Sequence, residues 1–475
     1  GVEMMGVKKV LCACFLFLSS LIFPAERYYV KPSGNDLSSG TSWDEAFATI
    51  SKAIQTAQQF DEIWVACGTF QEGAEIVIPP NVKLYGGFMG TELELSERDN
   101  ATSITVIDGN NTHRCIGMYS EITSIDSFHI TNGYATSGAG IFNRGKVTKC
   151  VLYGNTATDY GGGLFNDYGM VTSCTLFQNH CGMMGGGITN SQSSGTISGC
   201  VVYDNTAKNG AGIGIFEGTI TGCIVYKNVA ESFGGGIVNY FGGTIKNCAI
   251  FQNEAKVGGG VYLQQGSLSH CRIFRNQATT AGGVQNYGMT TNCAIYRNTA
   301  NYGGGACVYD GTFSNSVLYQ NEGIDKGGGL YMWDGTVTGC IIYNSINEDM
   351  DYTSGTLEYS CFGSALPTSG NIDVNPLFEG ALDFHLKDVS PCIDAGNPGV
   401  SWNDSCLPPG KETERNDMGV YGGPDNCFSL PNHMPKENDY IDYLLGKSKS
   451  KILDLNIDHI IDIADLVSLK ILKCD

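Results

Sequence analysis

Asp454, Asn456, Asp458, Asp462 and Asp465 stand at positions 1, 3, 5, 9 and 12 of a DxNxDxxxDxxD stretch. Oxygen ligands at those offsets wrap one hard cation, with Ile460 lending its backbone carbonyl at position 7, so the spacing points to calcium. Two other sets recur along the chain. Lys227, Arg275 and Arg297, with Gln252 and Gln320 between and after them, each follow a recurring cysteine or serine by four residues. Phe216, Tyr240, Tyr287, Tyr309 and Trp333 each follow the last glycine of a cluster by four. An exposed line of such rings would stack on sugars along a polymer, whereas a buried line would be core, since aromatics carry large apolar area. The cations would draw an anionic polymer such as a polyuronate, or form a solvated face.

Catalytic templates are missing. The sequence holds no HExxH, no GxSxG and no P-loop, which removes zincin, serine-hydrolase and nucleotide chemistry in their usual forms. The glycine clusters lack a surrounding βαβ unit and so are not dinucleotide fingerprints. Glu348, Asp349 and Asp351 form an acidic patch that reads as a calcium or acid/base site or as a solvated insertion.

Whatever these groups do, something must hold them in line. Of 475 residues 64 are glycine, and only 16% are charged, yet the net charge is −20. That balance, without a basic block, argues against nucleic acid or an anionic membrane as partner. Lys8 and Lys9 precede an apolar run, 10–23, closed by Pro24 and Ala25, the order of an export signal over residues 1–25. The run is too short to span a bilayer as a helix, and no later stretch is long and apolar enough, so no transmembrane anchor is expected.

The dominant feature is a repeat. Cys150, Cys174, Cys200, Cys223, Cys248, Cys271, Cys293, Ser316 and Cys340 follow one another at steps of 22 to 26 residues. A glycine lies five before each, an aromatic three after, and an asparagine two later still, from Asn155 to Asn321, until Ser345 breaks the column. Each unit reads as short β runs between glycine and polar turns, with no helical period. Three strands in about 24 residues are too few for a propeller blade and suit a parallel β-helix, whose coils stack at about 4.8 Å. Cysteine then packs inward as a small hydrophobe, and the asparagines bond along the stack at turns. At the front, Ser42 and Glu45 form a capping box, and Trp43, Phe47, Ile50, Ile54 and Ala57 follow at helical spacing, predicting an amphipathic cap over the first coil.

The GGG[ILV] and [YF]xN signatures resemble the repeats of polymorphic outer-membrane proteins and, more broadly, secreted bacterial right-handed β-helix proteins of the pectin-lyase-like superfamily. The segment KLYGGFMGTELELSERD (83–99) is similar to the opening of such proteins, and SPCIDAGN (390–397) and DMGVYG (417–422) to their closing segment. Cys392, Cys406 and Cys427 lie in that loop-rich end and are the disulfide candidates. The terminal Asp454–Asp465 loop and the apolar run after it resemble a dockerin type I repeat, which implies calcium and a cohesin-type scaffold partner. The resulting expectation is an all-β, right-handed parallel β-helix with an N-terminal capping helix and a small C-terminal helical calcium-loop module. It divides into a signal (1–25), cap and first rungs (26–112), repeats (113–378), C-terminal cap (379–434), and linker with dockerin-like module (435–475). The expected role is a secreted binding or structural protein at the cell surface or in an extracellular complex, contacting polysaccharide. The alternative is a polysaccharide lyase or glycoside hydrolase on the same scaffold.

Overall fold

The computed structural model describes residues 25–363, 369–380, 382–406 and 413–427. One coil shows how the repeat closes. Thr219–Thr221, Ile224–Tyr226, Val229–Phe233 and Ile237–Asn239 are four short strands separated by sharp corners. Each pairs in parallel with its equivalent one coil away, as in Ile224↔Ala249, Val225↔Ile250 and Tyr226↔Phe251. The four strands of each such coil feed four separate sheets, of 14, 14, 9 and 12 strands in the order they occur along the coil; the first and last coils lack the strand of the 9-stranded sheet. The molecule is a parallel β-solenoid, and Cys174, Cys200 and Cys223 close successive first-sheet strands in register.

Alternation decides what faces inward. In the first two sheets the middle residue of each triplet is buried: Ile197, Ile220 and Ile245 in one, Val202, Val225 and Ile250 in the other. In the fourth sheet the outer two turn in, as Ile213 and Ile215 do. The cysteine column is fully buried at the corner between the first two sheets. Its thiols do more than fill space. Cys174 Sγ donates to Thr172 O at 3.3 Å, and Cys271 Sγ accepts the Cys248 N–H at 3.4 Å. Ser316 repeats both bonds with its hydroxyl, to Ser314 O at 2.8 Å and from Cys293 N at 3.1 Å.

The asparagine column runs beside the next corner. Asn228 Oδ1 accepts the Asn205 N–H and side-chain amide at 3.0 Å each, and Asn228 Nδ2 passes the contact to Asn253 Oδ1 at 3.0 Å. A second, shorter ladder joins Asn143, Asn166 and Asn190 at the end of the fourth sheet, with amide bonds of 2.7 and 2.6 Å.

The N-terminal helix is Ile50–Thr56, packed over the first coil, so it starts later than the capping box predicts. Ser42 and Glu45 instead close a local turn. The helix is capped by Thr49, and carboxylates from elsewhere serve its entrance: Asp36 accepts from Ala48 and Thr49, and Glu72 from Ile50. At the other end, Phe384, Cys392, Met418 and Val420 cover the outer face of the second sheet against Phe274, Tyr296 and Ile341. Asn292 Nδ2 donates to Val420 O and Gly422 O, pinning that segment along the flank. Cys406 and Cys427 are joined in a disulfide, whereas Cys392 is a free thiol in the same cluster as Cys361.

Candidate functional site

The corner that follows the fourth sheet carries the aromatic column. Its backbone is fixed from coil to coil: the N–H of Tyr240 donates to Ile215 O at 3.0 Å, Tyr287 to Leu263 O at 2.8 Å, and Trp333 to Val308 O at 2.9 Å. Behind each ring the chain turns sharply. Gly218 and Gly335 adopt φ of +94° and +101°, and a Cβ at either would lie 2.4 Å from a carbonyl oxygen of the coil below. Glycine thus lets consecutive corners close on one another and leaves the rings outside.

The rings touch in sequence. Phe216 stacks on Phe241 at 5.7 Å, Tyr287 on Tyr309 at 5.4 Å, and Tyr309 on Trp333 at 6.2 Å between centroids. The column has a gap at Gln264, which Tyr262, the outward middle residue of the same coil's fourth-sheet strand, fills by contacting Tyr240 at 6.3 Å and Tyr287 at 5.9 Å. Trp333 is 51% exposed and Phe241 61%, so this line is surface, not core. All five rings expected from the sequence belong to it. Sequence reasoning missed Phe241 and Tyr262, and also a continuation toward the N-terminus through Tyr160, Phe165, Phe142 and Tyr119, with centroid spacings of 5.1 to 6.2 Å. Tyr262 and Phe165 occupy the outward middle position of the fourth-sheet triplet, a signal visible only once the in–out phase is known.

Geometry sets how the rings present themselves. Along the stacked pairs, interplanar angles of 14 to 26° turn faces toward one another and edges outward. At the Tyr240–Tyr262–Tyr287 joint, angles of 62 and 53° tilt neighbouring rings steeply against one another, so their faces are not paired. Burial and neighbouring phenols push Tyr262 up to about 12, and burial together with Cys307 and Tyr287 does the same for Tyr309. The hydroxyls therefore stay protonated and able to donate across the physiological range.

The basic residues lie elsewhere. Lys227, Arg275 and Arg297 occupy the left-handed corner between the second and third sheets, at φ of 53 to 55°. Two strands of the coil separate them from the aromatic corner in either direction, so the two sets do not converge. Lys227 offsets part of the burial that raises Asp204. Arg297 Nε donates to Gln320 Oε1 at 3.2 Å, and both line an open depression of about 420 Å³ with Thr299, Glu322, Asn344 and Ile346.

The acidic residues take separate structural roles beside an exposed turn, 346–348, that includes Glu348. Asp349 is buried and accepts from Ser345 N at 2.7 Å and Gly363 N at 3.0 Å, the bond an asparagine would have supplied where its column ends. Asp351 pairs with Lys326 at 2.9 Å, and Glu348 accepts from Gly327 N. Among the described residues no group of three His, Cys, Asp or Glu side chains could hold a metal ion. The calcium-loop residues Asp454, Asn456, Asp458, Ile460, Asp462 and Asp465 lie outside the described residues.

No protein-family profile and no curated protein sequence matches the chain. Among solved structures it is similar to pectate lyase Pel9A, at 14% identity over 84% of this chain and 97% of that one, with a TM-score of 0.37. A rhamnogalacturonan lyase matches at 12% identity over 77% and 94%, TM-score 0.30. The tailspike protein gp49 from Acinetobacter baumannii bacteriophage Fri1, a capsular polysaccharide depolymerase, matches at 12% over 73% and 63%, TM-score 0.32.

Proposed function

We propose that this chain is an exported protein that binds polysaccharide along its aromatic corner and is held in an extracellular assembly by its tail. The observation that carries the binding role is the unbroken, exposed line of ring contacts from Phe216 to Trp333. A soluble surface rarely leaves so many large rings in one row without a ligand to cover them. Six coils separate its ends inclusively, or about 24 Å at the usual strand spacing, enough for several sugar units. The attachment role is supported by the spacing of Asp454 to Asp465, which suits one calcium ion and a cohesin-type scaffold as partner. The apolar run at 10–23 supports export.

Affinity electrophoresis through gels containing a panel of polysaccharides tests the binding role. The double variant Tyr309→Ala with Trp333→Ala should lose tenfold or more in affinity, since one ring contact of about 1.4 kcal/mol is a factor of ten. Retention by no glycan, or retention unchanged in the variant, would overturn it. Release of unsaturated or reducing sugars, abolished by changing a single carboxylate or arginine, would instead establish the lyase or hydrolase reading.

A further inference from the structure

The charge pattern around the aromatic corner narrows the ligand. The corner residues themselves, 216–218, 240–243, 264–266, 287–288, 309–311 and 333–335, contain no lysine or arginine. They contain three carboxylates, Glu217, Asp310 and Asp334, all exposed and each directly after a ring. Gln264 and Gln265 fill the coil where the aromatic column lapses. On the first-sheet side the nearest outward positions are hydroxyls: Thr219, Thr244, Ser267, Thr312 and Thr336, all partly exposed, with Met289 the one exception. Lys227, Arg275 and Arg297 sit two strands away at another corner; nearer cations are Lys246, exposed at the far end of the adjoining first-sheet strand, and Arg144, which lies over Phe142 and Tyr168 on the N-terminal continuation and pairs with Asp167.

We propose that the aromatic corner takes an uncharged, hydroxyl-rich polysaccharide chain lying along the solenoid axis, and turns away polyuronates and sulfated chains. This rests on the glycan-binding reading above. Sugar hydroxyls meet acceptors in the carboxylates and glutamines and donors in the phenols and threonines, while the apolar faces of the sugars meet the tilted rings at Tyr240 and Tyr262 and the side of Trp333 that no described ring covers. A carboxylate or sulfate on the polymer would face Glu217, Asp310 and Asp334, with no lysine or arginine at the corner in the six coils from Phe216 to Trp333, and would be repelled. The hydroxyl positions recur on five of these six coils, so the surface favours a chain running with the stack over one crossing it.

The experiment compares the full chain in native gels containing soluble neutral glucan, xylan or mannan with gels containing polygalacturonate or alginate, at low and high salt. Wild type should be retarded by at least one neutral polymer and by neither acidic one. Asp310→Lys with Asp334→Lys, both exposed changes, should acquire retardation by polygalacturonate that salt removes. Tyr309→Ala with Trp333→Ala should lose retardation at least tenfold. Wild-type retardation by an acidic polymer that depends on the two rings would overturn the neutral-ligand proposal while leaving the binding role intact. Retardation by no polymer, or retardation indifferent to ring removal, would overturn both.

Discussion

Truncating one rung of the asparagine ladder, Asn228→Ala, should open the solenoid locally by an amount the hydrogen bonds set. Asn228 Oδ1 accepts the backbone N–H of Asn205 at 3.0 Å, and the alanine leaves that buried donor with nothing in its place. An orphaned buried donor costs about 1–3 kcal/mol. The side-chain amide also donates to Val202 O, Tyr226 O and Asn253 Oδ1, each at 3.0 Å. Those acceptors keep other donors, so their loss adds roughly 1–2 kcal/mol at typical net values. The sum is about 2–5 kcal/mol. Because each coil contacts only its neighbours, the loss appears as local opening before global unfolding. Amide hydrogen exchange followed by mass spectrometry should show peptides containing Asn205 exchanging roughly 30-fold to several thousand-fold faster, at one decade per 1.4 kcal/mol. Peptides of the first coil, around Val30, should not change. Protection at Asn205 within threefold of wild type would refute the reasoning, because the ladder would then be a geometric coincidence of stacking rather than a source of cohesion.

Cys223→Ser should cost less than Cys223→Ala in urea unfolding, since Ser316 already shows a hydroxyl making the same two bonds. The native column should also resist thiol reagents because every one of its thiols is fully buried, and at Cys340 burial pushes the thiol up to about 12. Burial and the neighbouring Asp417 raise Asp404 to about 7 from 3.8, outweighing the N–H of Gly423. The folded state therefore binds more protons than the unfolded one between about pH 4 and 7, and docking of the C-terminal segment should weaken as pH rises through that window. Asp404→Asn should flatten this dependence in a thermal-shift series, and an unaltered slope would show that another group carries it. Calorimetric titration of the full chain with calcium should show one saturable site lost in Asp454→Ala and Asp465→Ala; equal heats in all three proteins would dismiss the loop as a metal site.

The solenoid was legible because its signals repeat. Cys174, Tyr203 and Asn228 each announce a column, and a column can be phased without knowing the structure. Single events were harder to read. Besides its local cap Thr49, the helix entrance depends on Asp36 and Glu72, 13 and 22 residues from their targets, which the local Ser42–Glu45 pattern does not reveal. Tyr262 was missed because it stands two residues before the column position, and only the alternation of the fourth sheet shows that both places face the same surface. Asp349 substitutes for an asparagine from a different position in its coil, which no column can reveal. That the C-terminal segment lies along the second sheet depends on shape complementarity with Tyr296 and Ile341, a property of the assembled surface.

Through the repeats, the first, second and fourth sheets keep one register from coil to coil, which makes neighbouring coils nearly interchangeable. A gene segment encoding a whole turn can be duplicated or lost, and the severed sheets, thiols and amides will find equivalent partners on the new neighbour. A lineage could thereby tune the reach of the ring track one storey at a time without redesigning either end, each added turn bringing its own interface term.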